Sequence, residues 1–157
     1  STLMIAECAA ILRNRNMSMA DYLDEIFNKF GHYNDKTVSI EIPGLTGRKV
    51  MDMIMDNYRK DPKKEIAGVG VDKAIDYNND TVYDTEGSNY TLPPANVIQY
   101  HLSDGSSVTI RPSGTEPKIK FYFSSKGSSG DDVESKLFSL ESAVIPEVKE
   151  FIDKQNA

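Results

Sequence analysis

Arg111, Ser113, Gly114 and Thr115 fall within five residues of a 157-residue chain, and Lys118 and Lys120 follow at once. Those residue types at that spacing suit a phosphate ester. A phosphate dianion needs several donors converging on three oxygens. Arg111 offers a planar fork that can meet two oxygens together. Ser113 and Thr115 offer hydroxyls and backbone N–H groups. Gly114 is free to take a positive φ, which would aim successive N–H groups inward as an anion nest. Pro112 and Pro117 stiffen the turn, so less entropy is lost when a ligand orders it. The same residues also make a good hairpin turn, and turn chemistry accounts for the Gly and the prolines equally well.

The elements around the turn must hold it still. Val108 and Ile110 alternate before it, and Ile119, Phe121 and Phe123 alternate after it, which predicts two strands joined by the turn. If Ile119 and Phe121 face the core, Lys118 and Lys120 point to the other face, toward a ligand. Ile98, Tyr100 and Leu102 predict a preceding strand, with Asp104-Gly105 as its hairpin turn. Further upstream, Val38, Ile40 and Ile42 alternate as a half-buried strand. A helix is expected from about residue 45 to Lys60, where Asp61-Pro62 stops it. Ala67, Val69 and Val71 suggest one more strand. Residues 76–95 are rich in Asn, Asp, Thr and Ser and read as a long surface excursion. A last helix begins near Asp131, and Pro146 is expected to kink or split it.

The first thirty residues read differently. Ile5, Cys8, Ala9 and Leu12 recur at helical spacing, and Cys8 on that stripe is expected to be buried filler. Ser18 and Asp21 have the spacing of a capping box for a second helix carrying Tyr22, Leu23, Ile26, Phe27 and Phe30. Gly31 stands where a left-handed C-terminal residue is wanted. The expected architecture is therefore α+β. An antiparallel sheet with helices packed on one face spans 36–157, and a helical pair at 1–33 precedes it, with the break near 31–36.

Composition narrows the function. The net charge is −6, which disfavours a nucleic-acid binder, whereas residues 111–126 alone carry +3. A small basic island in an acidic chain suits a compact anion. No apolar run approaches the length of a membrane span and no signal peptide is visible. The single Cys8 fits a reducing, cytoplasmic setting. His32 and His101 have no evident Asp or Ser partner. Asp21, Asp24 and Glu25 read as an exposed helix face and Asp131-Asp132 as a helix start, so no metal site is expected in this chain.

The run Arg111-Pro-Ser-Gly-Thr-Glu-Pro-Lys-Ile-Lys120 resembles the phosphate-binding loop of the last domain of the α-D-phosphohexomutases, the superfamily of phosphoglucomutase and phosphomannomutase. Its wording is most similar to the phosphoglucomutase and phosphopentomutase branch. Leu23-Asp-Glu-Ile-Phe-Asn-Lys-Phe-Gly31, followed by His32-Tyr33, is similar to the helix that closes the third domain in that branch. The resemblance covers essentially the whole chain. It implies a TATA-box-binding-protein-like C-terminal domain at 36–157 and the helical end of a preceding third domain at 1–33. It implies a four-domain enzyme that interconverts glucose 1-phosphate and glucose 6-phosphate, using a phosphoserine, Mg²⁺ and glucose 1,6-bisphosphate as activating intermediate. In that scheme Arg111, Ser113, Gly114 and Thr115 hold the non-reacting phosphate of the hexose phosphate, and Lys120 supplies a further basic contact. The serine loop, metal loop and sugar loop of the family belong to the other three domains, which would be this chain's partners. The fragment alone is expected to be inactive.

A second reading has a different class: a stand-alone phosphate- or anion-binding module without catalysis. The two differ over residues 1–33, since an autonomous module needs no helical pair with an unmatched apolar face.

Overall fold

The computed structural model describes residues 1–157 apart from 45, 79–80, 85–93 and 157. Among the described residues, four helices and seven strands follow in the order α1 (Thr2–Asn14), α2 (Met19–Phe30), β1 (His32–Glu41), α3 (Gly47–Lys60), β2 (Glu65–Ile66), β3 (Val69–Asp76), β4 (Thr81–Asp84), β5 (Ile98–Leu102), β6 (Ser107–Pro112), β7 (Lys118–Gly127) and α4 (Gly130–Asn156). The sheet runs β1-β7-β6-β5-β3-β2, with β4 also paired to β3, and every pairing is antiparallel. The α+β architecture expected from the sequence is the one observed.

The alternation of β5, β6 and β7 explains the layering. Ile98, Tyr100, Leu102, Val108, Ile110, Ile119, Phe121 and Phe123 are all buried on one face, as period-2 patterning requires. Against that face pack Val50, Met51, Ile54, Met55 and Tyr58 of α3, and Val133, Leu137, Leu140, Val144, Ile145, Val148 and Ile152 of α4. Each such large apolar side chain contributes on the order of 1.5–3 kcal/mol on burial. The opposite face of β6 and β7 presents Arg111, Lys118, Lys120 and Tyr122, none of which is buried.

Several expectations need correction. β1 starts at His32, directly after Gly31, and pairs with β7 over all ten residues. Residues 32–36, read from the sequence as irregular, are therefore strand. The first half of β1 escaped notice because Tyr33 to Thr37 are exposed and carry no apolar alternation. Gly31 has positive φ as foreseen, but with ψ 170°, outside the left-handed helical region. Ala67, Val69 and Val71 do not form one strand: Ala67 (φ 53°) and Gly68 (φ 79°) turn a two-residue hairpin between β2 and β3. Pro146 does not split the last helix, since α4 continues through it. Much of the predicted excursion at 76–95 lies outside the described residues. At its neck, Tyr77 N–H donates to Val97 O (3.0 Å) and Ala95 N–H to Tyr77 O (3.0 Å).

The helical pair is as predicted in extent. Ser18 and Asp21 form the reciprocal capping box, Ser18 Oγ accepting from Asp21 N–H at 3.1 Å and Asp21 Oδ2 accepting from Ser18 N–H at 2.8 Å. The apolar stripe of α1 is mostly uncovered: Leu12 is buried, whereas Leu3, Met4, Ile5 and Ile11 are exposed. Cys8 is half-buried rather than core filler. α2 meets the sheet at its end, where the His32 ring stacks on Phe27 with centroids 4.4 Å apart.

Candidate phosphate-binding site

β6 and β7 carry the turn. Arg111 pairs with Lys120 and Pro112 with Ile119 in the antiparallel register. Ser113 N–H donates to Lys118 O (2.9 Å) and closes the loop at its neck. Pro117 O accepts from Ile42 N–H (2.8 Å), which ties the loop exit to the end of β1. Within the loop, Glu116 N–H donates to Ser113 Oγ (3.2 Å) and Lys118 N–H to Glu116 O (2.8 Å). The turn is thus held at both ends and braced inside.

Arg111, Pro112, Ser113, Gly114, Thr115, Glu116, Lys118, Lys120 and Tyr122 line one open depression of ≈ 410 Å³. All five residues singled out in the sequence, Arg111, Ser113, Gly114, Thr115 and Lys120, come together there. Lys118 joins them by parity on β7. Two further residues were missed. Tyr122 sits two positions beyond Lys120 on the same face, so strand parity was the signal that could have found it. Glu116 lies inside the motif itself.

Two details of the donor set differ from expectation. Ser113 N–H is engaged at the loop neck, so only its hydroxyl is left for a ligand. Gly114 does not adopt positive φ, so the loop is no nest built on an inverted glycine. A Cβ at Gly114 would meet nothing within 4 Å. Neither backbone conformation nor crowding within the chain calls for glycine there. Among the described residues, the N–H groups of Gly114 and Thr115 and the Thr115 hydroxyl have no partner, and the side chains of Arg111 and Lys120 make no ion pair.

The electrostatics favour an anion. Three cationic side chains face one carboxylate. Lys118 Nζ lies 2.5 Å from Glu116 Oε2. That bond and the lysine charge hold the Glu116 carboxyl below its ordinary range, with Lys120 adding to the effect. Among the described residues, no group of three or more His, Cys, Asp or Glu could hold a metal ion. His101 lies away from the depression on β5, where burial and then the Lys73 charge lower its pKa. No helix among the described residues is long and apolar enough to cross a membrane.

Comparison with known proteins bears on the same residues. The family described as "Phosphoglucomutase/phosphomannomutase, C-terminal domain" matches residues 53–134, which contain the whole turn. Phosphoglucomutases of Staphylococcus aureus strains MSSA476 and USA300 are 36% and 35% identical to this chain over 140 residues. The match covers 87% of this chain and 25% of each relative, so the chain spans about a quarter of the length of these relatives. A solved structure of "Exocytosis-Sensitive Phosphoprotein, pp63/parafusin" from Paramecium aligns over 90% of this chain and 24% of its own, with 15% identity and a TM-score of 0.47. On the family match, the chain belongs to the phosphoglucomutase/phosphomannomutase family and carries its C-terminal domain.

Proposed function

We propose that this chain is the C-terminal part of a phosphosugar mutase of the phosphoglucomutase type, which interconverts glucose 1-phosphate and glucose 6-phosphate through a bisphosphate. Its own task is to hold the phosphate that is not reacting. The convergence of Arg111, Ser113, Gly114, Thr115 and Lys120 on one depression carries the proposal. Unspent donors support it: two N–H groups, two hydroxyl protons and two cations without an ion-pair partner.

The chemistry asked of these residues is binding and orientation. The Arg111 fork takes two oxygens and Lys120 adds charge from the facing strand. Gly114 and Thr115 supply N–H groups, and the bare Cα of Gly114 lets an oxygen come close to the main chain. Ser113 Oγ accepts from Glu116 N–H, which leaves its own proton to donate to the ligand. Each charge-assisted bond is worth roughly 1.5–3 kcal/mol. Desolvation of the dianion and lost freedom offset most of that, leaving about −4 kcal/mol, or about millimolar affinity, for the loop alone. Anchoring the remote phosphate positions the reacting oxygen, and phosphoryl transfer depends mainly on positioning and charge stabilisation.

In this reading residues 1–33 are the helical end of the preceding domain and 36–157 the phosphate-binding domain. The exposed Leu3, Met4, Ile5 and Ile11 would then be covered by the rest of that domain. Mg²⁺ and the phosphoryl-carrying serine belong to the other three domains in this reading, and among the described residues no group of three or more His, Cys, Asp or Glu could hold the metal. Calorimetric titration tests the binding role. Glucose 6-phosphate should bind at about millimolar Kd and weaken about tenfold or more with Arg111→Ala, since one charge-assisted bond contributes roughly 1.5 kcal/mol at minimum. Equal binding by both proteins would refute it. The chain alone should not isomerise hexose phosphates, and measurable turnover would contradict its assignment as one part of the enzyme.

A further inference from the structure

We infer that Glu116 is the resident counter-ion of the depression: it occupies Lys118 while the depression is empty and is displaced from it when an anion enters, and so limits how tightly and how long the anion is held. The inference deepens the phosphate-binding reading above and rests on it.

The geometry singles out Glu116. Of the cations lining the depression, Arg111 and Lys120 are without an ion-pair partner among the described residues, whereas Lys118 Nζ is already paired to Glu116 Oε2 at 2.5 Å. The two partners are unequally placed. The Lys118 side chain is 24% exposed and that of Glu116 is 59% exposed. The carboxylate therefore lies on the solvent side of the pair, and it is the group free to leave. Its backbone has no need to follow, because Glu116 N–H is fixed to Ser113 Oγ and Glu116 O to Lys118 N–H. Rotation of one exposed side chain is enough to release the ammonium.

Charge makes the exchange necessary. A phosphate on Arg111 and Lys118 would face the Glu116 carboxylate across Lys118, and like charges at that separation repel. Three cations against one carboxylate leave +2, which matches a phosphate monoester dianion. Lys118 and Lys120 on β7 act on Glu116, Arg111 of β6 lines the same depression, and Glu41 of β1 is the register partner of Lys118. Lys118 and Lys120 together hold the Glu116 carboxyl below its ordinary range. Diverting Lys118 to an anion removes the larger part of that influence. Glu116 should then titrate at higher pH in the occupied protein than in the empty one.

The test is an NMR titration of the whole 157-residue chain with inorganic phosphate, for wild type and Glu116→Gln. Removing a unit negative charge beside a bound dianion should tighten binding on the order of three- to tenfold and slow dissociation. In wild type the Glu116 carboxyl carbon should titrate at higher pH with saturating phosphate than without. Both results are required. If shifts centre on 111–120 in both proteins but E116Q binds no tighter, or the Glu116 titration does not move, the counter-ion role is overturned and the phosphate-binding reading stands. If neither protein shows shifts at 111–120, both fall together.

Discussion

Replacing Gly47 by Ala would put a methyl carbon 2.1 Å from the Ile42 carbonyl oxygen and 3.5 Å from Pro117 Cβ. The first contact sets the new methyl against main chain. Ile42 is 1% exposed and its N–H is bonded to Pro117 O at 2.8 Å, so the carbonyl cannot swing aside without dragging the exit of the phosphate loop. Overpacking of this kind costs about 1–3 kcal/mol, and a backbone obstacle places it in the upper part of that range. Ala recovers some of the roughly 1 kcal/mol by which Gly weakens a helix interior, but less in a first turn. A net loss of about 2 kcal/mol lowers Tm by about 4–8 °C for a chain of this size. Phosphate affinity should fall too, since Pro117 is displaced. The matched control is Gly114→Ala. Its Cβ would meet nothing within 4 Å and its φ is not positive, so stability should stay within roughly 0.5 kcal/mol of wild type while phosphate binding weakens severalfold. Melting curves and phosphate titrations of both variants decide the matter. A Gly47→Ala protein that melts with wild type, or a Gly114→Ala protein that loses as much stability as Gly47→Ala, would refute the reasoning.

Two other predictions concern the frame around the site. Arg59 Nε donates to Asp76 Oδ2 at 3.0 Å with side chains 17% and 7% exposed, and Asp76→Ala should cost about 2–4 kcal/mol by stranding a largely buried guanidinium, less than a full orphaned pair because Asn96 and Asp56 remain beside it; an unchanged urea midpoint would contradict this. Burial first, then the Glu147 charge and Tyr100, push the Tyr58 hydroxyl far above its ordinary range, and burial chiefly pushes Tyr100 up to about 12. Unfolded tyrosines ionise near ~10, so these groups favour the folded state fully below that pH and cease to do so as pH rises toward the folded values. Stability should therefore fall between about pH 10 and 12, with a shallower slope in Tyr58→Phe; a flat profile for wild type would overturn the assignment.

Strands were legible wherever one face is buried and the other wet. β5 and the core of β7 follow their apolar alternation. The front half of β1 did not, because its residues are exposed and only pairing with β7 makes them a strand. The end of β3 hid for the opposite reason: Ala74, Ile75 and Asp76 are all buried, so no alternation marks them. Buried Asp76 reads as a loop residue until Arg59 is found beside it. In the site, the cationic residues and the hydroxyls were legible from type and spacing. How the loop closes was not: whether the Ser113 N–H faces a ligand or the Lys118 carbonyl depends on strand register. Glu116 was overlooked because a lone acidic residue in a basic window reads as dilution of charge, and its pairing with Lys118 is visible only in space.

In the proposed function, the turn between β6 and β7 is a receptor for the phosphate of a sugar phosphate. Mapping amide shifts of the ¹⁵N-labelled chain as glucose 6-phosphate, and separately glucose, is added tests it most directly. Shifts should centre on residues 111–120 with the ester, be absent with the plain sugar, and be lost in Arg111→Ala. Shifts of equal size with glucose, or shifts that leave the turn untouched and gather elsewhere on the chain, would contradict it.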